Sequence, residues 1–256
     1  MFLELRAAVG TRAAMEYAVQ QRGLKLLSRL GVPVTRRLMT FHLNGCAHPL
    51  YARYASSDVY VFEQIFGEKE YSPLDGLSGV RVIVDCGAYV GYSARYLLDA
   101  FPDARLIAVE PDESNFALLR RNLAPYGRRV ALRRAAIWSH KTRLVVSQGE
   151  YKDGREWAIH VRESQPGEPA NVEAIDIDAL LDEYAIERVD ILKIDIEGAE
   201  VMMFAHAPWL AKVRHMTVEL HDKECETVFF RSLRGYRYDL SRSGELTICK
   251  NIMPAA

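Results

Sequence analysis

Short apolar runs alternate with helix-like segments from about residue 80 onward. Five runs have the composition of buried strands: "VRVIVD", "ARLIAVE", "RVALRRA", "VDILKIDI" and "VRHMTVEL". Between the first three lie "YSARYLLDAF" and "DESNFALLRRNLAPYG", whose apolar spacing predicts helices. Short buried strands separated by helices are typical of β-α-β units. The pattern therefore predicts an α/β fold with a doubly wound, mainly parallel, Rossmann-like sheet.

Three parts of the chain depart from this alternation. Between residues 143 and 175 the runs "RLVVSQG", "WAIHV" and "NVEAID" are joined by turn-rich stretches, which predicts an inserted β segment. Near the end, "YRYDL" and "ELTICKN" flank "SRSG", a pattern typical of a C-terminal antiparallel hairpin. The first forty residues have apolar positions at helical spacing up to "GVP". We expect an N-terminal helical extension and lid over residues 1–78, followed by a ligand-binding domain over residues 79–256.

Composition and charge narrow the classes of partner. The chain carries 33 basic and 34 acidic residues, so no overall field draws it to nucleic acid or to an anionic membrane. An arginine-rich stretch over residues 120–134 has Tyr126 as its one interleaved aromatic, which disfavours an RNA substrate. The four cysteines form no C-x-x-C pair, and no apolar run suits a secretion signal or an integral membrane segment. We expect a cytoplasmic protein, and the amphipathic start leaves open a homodimer or a loose membrane contact.

One strand-to-helix turn carries the strongest ligand signal. Asp85 ends the first core strand, Gly87 and Gly91 follow it, and a helix begins directly afterwards. Glu110 ends the next strand, where an acid accepts hydrogen bonds from ribose hydroxyls. This combination predicts a nucleoside bound beyond the carboxyl ends of the strands. A tight turn without a ligand, next to a solvated strand end, is the alternative.

Tyr89, which lies between the two glycines, bears on which nucleoside the turn can bind. Dinucleotide sites normally need G-x-G-x-x-G, and Tyr89 stands where the middle glycine lets the backbone approach the pyrophosphate. S-adenosylmethionine has no phosphate; N–H groups at a helix start suit its carboxylate, and Asp85 suits its ammonium. We therefore expect S-adenosylmethionine. A NAD-type oxidoreductase, or a catalytically silent nucleoside binder on the same fold, is the alternative.

Two further stretches supply candidate catalytic groups. In "VDILKIDIEGAEVMMF", Lys193, Asp195 and Glu197 alternate and so share one strand face over the same crevice. In "VELHD", His221 follows Glu219, and a histidine beside a carboxylate is a reasonable general base. His221 is the first choice for a general base, and Asp195 and Glu197 compete for the role. Lys193 orients Asp195 or keeps it ionised. The spacing demands no metal, so none is predicted.

Several of these motifs resemble those of a known family. The most specific is "LKIDIEGAE", and "VDCGAYVGYSARYL", "AVEPDESNFALLRRNL", "IDIDALLDE" and "TVELHD" add to it. With "HPLYARYASSDVYVFEQIFGEKEY" they resemble the FkbM-type methyltransferases over roughly residues 49–222. Members of that family use S-adenosylmethionine and mostly methylate oxygen atoms of natural products and sugars. The resemblance implies an O-methyltransferase acting on a small molecule, with the cofactor bound by residues 79–256.

The resemblance also implies which residues meet the cofactor. Glu110 holds the ribose, and Ala136 with its neighbour Ile137 lies near the adenine. Tyr89 is a departure, because asparagine is common at this position in the family. The full set of expected cofactor contacts is Asp85, Gly87, Ala88, Tyr89, Gly91, Ser93, Glu110, Ala136 and Asp195.

A segment upstream of the first core strand contains polar groups among apolar neighbours. These groups are Arg53, Ser57, Asp58 and Tyr71. One interpretation makes them a lid over the cofactor or the acceptor. The other is ordinary helix capping, because "SSDVYVFEQIF" also has the pattern of a helix start.

Overall fold

Strands and helices alternate through the middle of the chain in the order that the sequence predicts. The computed structural model describes residues 10–34, 37–44, 46–148, 159–164, 172–196 and 198–255. Its strands are β1 (Leu38–Phe41), β2 (Leu50–Arg53), β3 (Val82–Cys86), β4 (Arg105–Val109), β5 (Val130–Arg133), β6 (Ala136–Ile137), β7 (Thr142–Gln148), β8 (Ile159–Glu163), β9 (Val172–Ile175), β10 (Val189–Ile194), β11 (Val213–Glu219), β12 (Tyr236–Ser243) and β13 (Leu246–Pro254). Its helices are α1 (Thr11–Arg29), α2 (Asp58–Phe62), α3 (Tyr92–Ala100), α4 (Glu113–Leu123), α5 (Ile177–Glu183), α6 (Glu200–Phe204) and α7 (Lys223–Ser232).

The central sheet has seven strands in the spatial order β12-β13-β11-β10-β3-β4-β5. The five strands from β11 to β5 run parallel. β13 is antiparallel to β11, and β12 is antiparallel to β13. The predicted mainly parallel α/β fold and its C-terminal hairpin are confirmed. The chain leaves β3 in one direction for β4 and returns on the other side as β10. Ligands of open α/β sheets bind at such a switch point.

Helices cover both faces of this sheet, and the apolar side chains of each strand divide between two cores. Ile83 and Leu106 belong to the core under α3 and α4. Val84 and Ile107 belong to the opposite core, which α5 and α7 also supply. Because both faces are buried, the strands are near-continuous apolar runs rather than alternating ones. Burying each such side chain contributes about 1.5–3 kcal/mol.

The inserted β segment is also confirmed, and it forms a sheet of its own. This second sheet has the order β6-β9-β7-β8. β6 is parallel to β9, whereas β7 is antiparallel to both β9 and β8. The short β6 follows β5 directly, so the second sheet begins beside the carboxyl end of the central one.

The N-terminal part contains strands as well as the predicted helix. β1 and β2 form an antiparallel pair, which the sequence did not reveal because four-residue strands give too little alternation to recognise. α1 packs on this pair: the Gln20 amide donates to the Thr40 carbonyl (2.7 Å) and accepts from the Thr40 N–H (2.8 Å). In the part of the chain that the structure describes, no helix has the length and apolar character to cross a bilayer. The domain boundary between residues 78 and 79 stays a prediction.

Candidate active site

A cavity of about 650 Å³ opens at the carboxyl ends of β3, β4, β10 and β11, where the sequence places the ligand. Ten of the predicted site residues line it: Tyr71, Gly87, Ala88, Tyr89, Ser93, Glu110, Ala136, Lys193, Asp195 and Glu219. Six others stand behind these and contact them: Arg53, Ser57, Asp58, Asp85, Gly91 and His221. Glu197 lies outside the described residues.

The loop after β3 requires glycine where it meets β10. Gly87 has φ of 77°, a left-handed conformation that side chains disfavour. A Cβ atom at this position would lie 1.7 Å from the Asp195 carbonyl oxygen, so the two backbones could not approach as they do. The Gly87 carbonyl accepts a hydrogen bond of 2.5 Å from the Lys193 ammonium. The loop is therefore fixed against β10 on one side of the cavity.

Glu110 organises the other side of this loop. The backbone N–H of Tyr89 donates to its Oε2 (2.9 Å), and the N–H of Asp112 donates to its Oε1 (3.0 Å). The Asn115 amide reaches the same Oε1 at 3.4 Å. Burial raises the pKa of Glu110 to about 8, although these hydrogen bonds oppose the shift. The carboxyl group is thus buried at the cavity wall, with a proton that it can lose near neutral pH.

An apolar wall follows Glu110 along the cavity. Ala135, Ala136 and Ile137 line it, and all three side chains are buried. Ala136 and Ile137 form β6, which follows the end of β5 and pairs with β9 in the second sheet. The predicted neighbours of an adenine ring, Ala136 and Ile137, are therefore part of an apolar stretch of the cavity wall.

Asp85 does not line the cavity, although the sequence places it among the cofactor contacts. Its side chain is fully buried. The Ser93 hydroxyl donates to Oδ2 (2.7 Å), and the Lys193 ammonium lies 3.3 Å from Oδ1. Burial lowers the pKa of Lys193, but attraction to Asp85 and Asp195 outweighs it and raises the pKa well above its ordinary value. Asp85 therefore acts on the cavity through Ser93 and Lys193, which line it.

The Tyr89 ring turns away from the loop into the lid segment, residues 48–71. Its hydroxyl donates to Asp58 Oδ1 (2.6 Å), accepts from Arg53 (3.1 Å) and lies 2.9 Å from the Ser57 hydroxyl. Arg53 and Asp58 form a buried ion pair at 2.7 Å. Burial, with repulsion from Asp58, raises the pKa of the Tyr89 phenol, which keeps it a hydrogen-bond donor.

These contacts bear on the capping interpretation of the lid segment, and whether the segment acts as a lid stays a prediction. Ser57 precedes α2 but makes no side-chain capping hydrogen bond. The capping interpretation is therefore wrong for Ser57, because its hydroxyl is at Tyr89. Tyr89 has φ of 49°, an uncommon conformation for a residue with a side chain. The contacts of its hydroxyl with the lid segment stabilise this conformation.

A histidine surrounded by carboxylates lies behind Glu219 and Asp195, which line the cavity. His221 Nδ1 lies 2.9 Å from Oε1 of the buried Glu200. Its Nε2 lies 3.4 Å from Glu219 Oε1 and 3.9 Å from Asp195 Oδ1. Burial lowers the pKa of His221, but the hydrogen bonds to Glu200 and Glu219 outweigh it and raise the pKa to about 11. The raised pKa favours the imidazolium, which is the form of the ring that has no electron pair for a proton.

Three of these side chains are also arranged as metal ligands could be. One ligand atom each from Asp195, Glu219 and His221 lies within 4.8 Å of the others. A set of one imidazole and two carboxylates suits a divalent transition metal better than magnesium. The arrangement serves equally as an ion cluster around a protonated histidine.

The sequence missed the contacts between the lid segment and the C-terminal hairpin, which also line the cavity. Glu70 Oε1 accepts from the backbone N–H of Glu245, in the turn between β12 and β13, at 2.8 Å. A Cβ atom at Gly244 would lie 2.5 Å from that oxygen, so the turn packs closely on the lid segment. Burial raises the pKa of Glu70 to about 7. The two residues are 175 positions apart, and no local pattern could have paired them.

The chain is similar to several known proteins. In sequence, the chain is 31% identical to the AMB antimetabolite synthetase AmbE of Pseudomonas aeruginosa, over 64% of this chain and 10% of that protein. It is 30% identical to the 2-O-methyltransferase NoeI of Sinorhizobium fredii, over 56% of this chain and 64% of that protein. The chain therefore spans about a tenth of the first relative and just under two thirds of the second. The crystal structure of methyltransferase FkbM from Methylobacillus flagellatus matches with a TM-score of 0.44 at 17% identity, over 66% of this chain and 43% of that one.

A family model also matches more than half of the chain. The model of the methyltransferase FkbM domain matches residues 85–239, which is more than half of the 256-residue chain. The matched range begins at Asp85 and includes β4, β10 and β11, whose ends form the cavity, and the first half of β12. The chain belongs to the FkbM methyltransferase family.

Proposed function

We propose that this protein uses S-adenosylmethionine to methylate a hydroxyl group of a small molecule such as a sugar or a natural product. The observation that carries the proposal is the position of Glu110. Its buried carboxyl group stands at the wall of the cavity and accepts a hydrogen bond from the backbone of the loop after β3. The 2-O-methyltransferase activity in the name of the NoeI relative supports oxygen as the acceptor.

The residues around the cavity fit the parts of this cofactor. Glu110 accepts hydrogen bonds from ribose hydroxyls, as acids at this strand end do in doubly wound sheets. The apolar wall around Ala136 and Ile137 offers a surface for adenine. Asp195 and Glu219 place negative charge in the same cavity, which favours a cation. When bound, S-adenosylmethionine supplies an electrophilic methyl group.

Methylation of a hydroxyl also needs a group that accepts its proton. The sequence favours His221, but its imidazolium form has no free electron pair for a proton. Glu219 lines the cavity, and burial, with repulsion from Asp195, raises its pKa. A carboxylate with a raised pKa is the better base. We assign the role to Glu219, with His221 holding the carboxylate from behind.

Titration calorimetry with S-adenosylhomocysteine and with NAD⁺ tests the cofactor. We expect the first to bind and the second not to bind; the reverse would refute the proposal. Incubation with a labelled methyl donor and metabolites of the source organism, followed by mass spectrometry, then identifies the acceptor.

The assignment of Glu219 as the base is tested separately, once an acceptor is known. Glu219→Gln should lower kcat by roughly 10²–10⁴-fold without changing the affinity for S-adenosylhomocysteine. Glu68→Gln is the matched control, because Glu68 lines the same cavity but is exposed and is not a neighbour of His221. An equal loss in both variants, or in neither, would exclude Glu219 as the base.

A further inference from the structure

α1 has an apolar stripe on the side that faces away from the protein. Met15, Val19, Leu26 and Leu30, the C-cap residue, are 55%, 67%, 58% and 70% exposed. Successive helical residues are about 100° apart, so spacings of four, seven and four residues place these side chains within a sector about 60° wide. We call these four residues the α1 stripe. They are four of the nine large hydrophobic residues that are exposed in the described part of the chain. The α1 stripe therefore concentrates exposed apolar side chains on one side of a single helix.

The opposite side of α1 belongs to the fold. Ala13 and Ala14 are completely buried there. The Gln20 side chain makes two hydrogen bonds to the backbone of Thr40 in β1. Packing of α1 on the protein thus fixes the direction in which the α1 stripe faces.

The α1 stripe is bordered by positive charge. Arg22, Lys25 and Arg29 are exposed and lie along one edge of it, by the same helical geometry. Glu16 is the one acidic residue between residues 11 and 29. It pairs with Arg12 (3.0 Å) and with His42 (2.8 Å). The outer face of α1 therefore combines apolar side chains with cations that α1 itself does not neutralise.

We propose that α1 binds the surface of an anionic lipid membrane, with the α1 stripe at the boundary of the acyl chains. A helix with a hydrophobic stripe and flanking Lys or Arg residues lies in the membrane interface and does not cross it. Its cations then meet anionic headgroups. A second copy of the chain fits the α1 stripe less well, because pairing two α1 helices through their stripes would bring the flanking cations of one against those of the other. This docking is independent of the methylation chemistry.

Vesicle co-sedimentation of the 256-residue chain tests the proposal. We expect binding to vesicles of phosphatidylcholine mixed with phosphatidylglycerol, weak binding to phosphatidylcholine alone, and release by added salt. The variant Val19→Gln/Leu26→Gln should lower the partition coefficient at least tenfold, since it removes two apolar side chains from the interface. Leu240→Gln is the matched control, because Leu240 is 51% exposed but lies in β12, and its binding should equal that of the wild type.

A charge variant gives a second and independent measurement. Arg22→Gln/Lys25→Gln/Arg29→Gln leaves the apolar side chains in place and should lower binding to the mixed vesicles roughly a hundredfold. The proposal is overturned if the wild type does not sediment with mixed vesicles, or if it binds both lipid compositions equally. It is overturned as well if the control loses binding as the variants do. A dimer in size-exclusion chromatography that the Val19→Gln/Leu26→Gln variant abolishes would assign the face to a second copy.

Discussion

Glu110 gives the proposed cofactor site a measurable dependence on pH. Burial raises the pKa of its carboxyl group to about 8. Ribose hydroxyls donate hydrogen bonds, and an ionised carboxylate accepts them more strongly than a neutral carboxyl group does. Binding of the nucleoside should therefore favour the ionised form of Glu110. We expect the affinity for S-adenosylhomocysteine to rise between pH 7 and pH 9.

The size of the effect follows from the ionised fraction. A pKa of about 8 leaves roughly a tenth of the Glu110 carboxyl groups ionised at pH 7 and roughly nine tenths at pH 9. If the ionised form alone is competent to bind, the apparent affinity scales with that fraction. The expected gain is about tenfold, or about 1.4 kcal/mol.

Titration calorimetry at half-unit steps of pH measures this gain. Glu110→Gln is the control, because glutamine keeps the shape and an acceptor oxygen but does not titrate. Glu70, with a pKa of about 7, titrates in the same cavity in both proteins, so the difference between the two curves isolates Glu110. A wild-type curve that runs parallel to the Glu110→Gln curve would refute the assignment of Glu110 to the ribose.

Three further predictions concern stability. Gly87→Ala should lower the free energy of unfolding by roughly 2–4 kcal/mol, because it adds a Cβ at a positive φ against a backbone oxygen. Gly76 has open space around it, so Gly76→Ala should change the free energy of unfolding by less than about 0.5 kcal/mol. Equal urea midpoints for the two variants would contradict the prediction for Gly87. Asp58→Asn should cost about 3 kcal/mol or more, since it leaves the buried Arg53 without its carboxylate. Arg53→Met/Asp58→Leu should recover much of that loss in thermal unfolding, and a wild-type Tm for Asp58→Asn would show that the pair contributes nothing. The pKa of Glu110 is about 8 in the folded state and 4.5 in the unfolded chain, so protonation of Glu110 stabilises the folded state. This contribution is complete below about pH 4.5 and is lost as the pH rises through about 8. Urea unfolding at pH 5.5 and pH 8.5 should thus show a larger loss for the wild type than for Glu110→Gln, and equal losses would contradict the raised pKa.

The sequence could indicate some of the candidate site residues but not others. Gly87 and Glu110 were recognisable as candidates, because each lies next to the end of an apolar run, and both line the cavity. The raised pKa of His221 was not, because it depends on Glu200, 21 residues away and buried under α7. The sequence placed Asp85 in contact with the ligand, whereas packing turns its carboxylate towards Ser93 and Lys193.

The sequence by itself determined the central sheet, the inserted strands, the terminal hairpin, the family and the edge of the sheet that carries the site. These follow from local signals, since the apolar period, the turn residues and the ends of strands are properties of neighbouring positions. The tertiary structure alone decided how the polar groups pair. Tyr89 meets Asp58 and Glu70 meets Glu245 across 31 and 175 residues of chain. The protonation of a buried side chain depends on its desolvation and on which charges lie within a few ångströms, and folding fixes both.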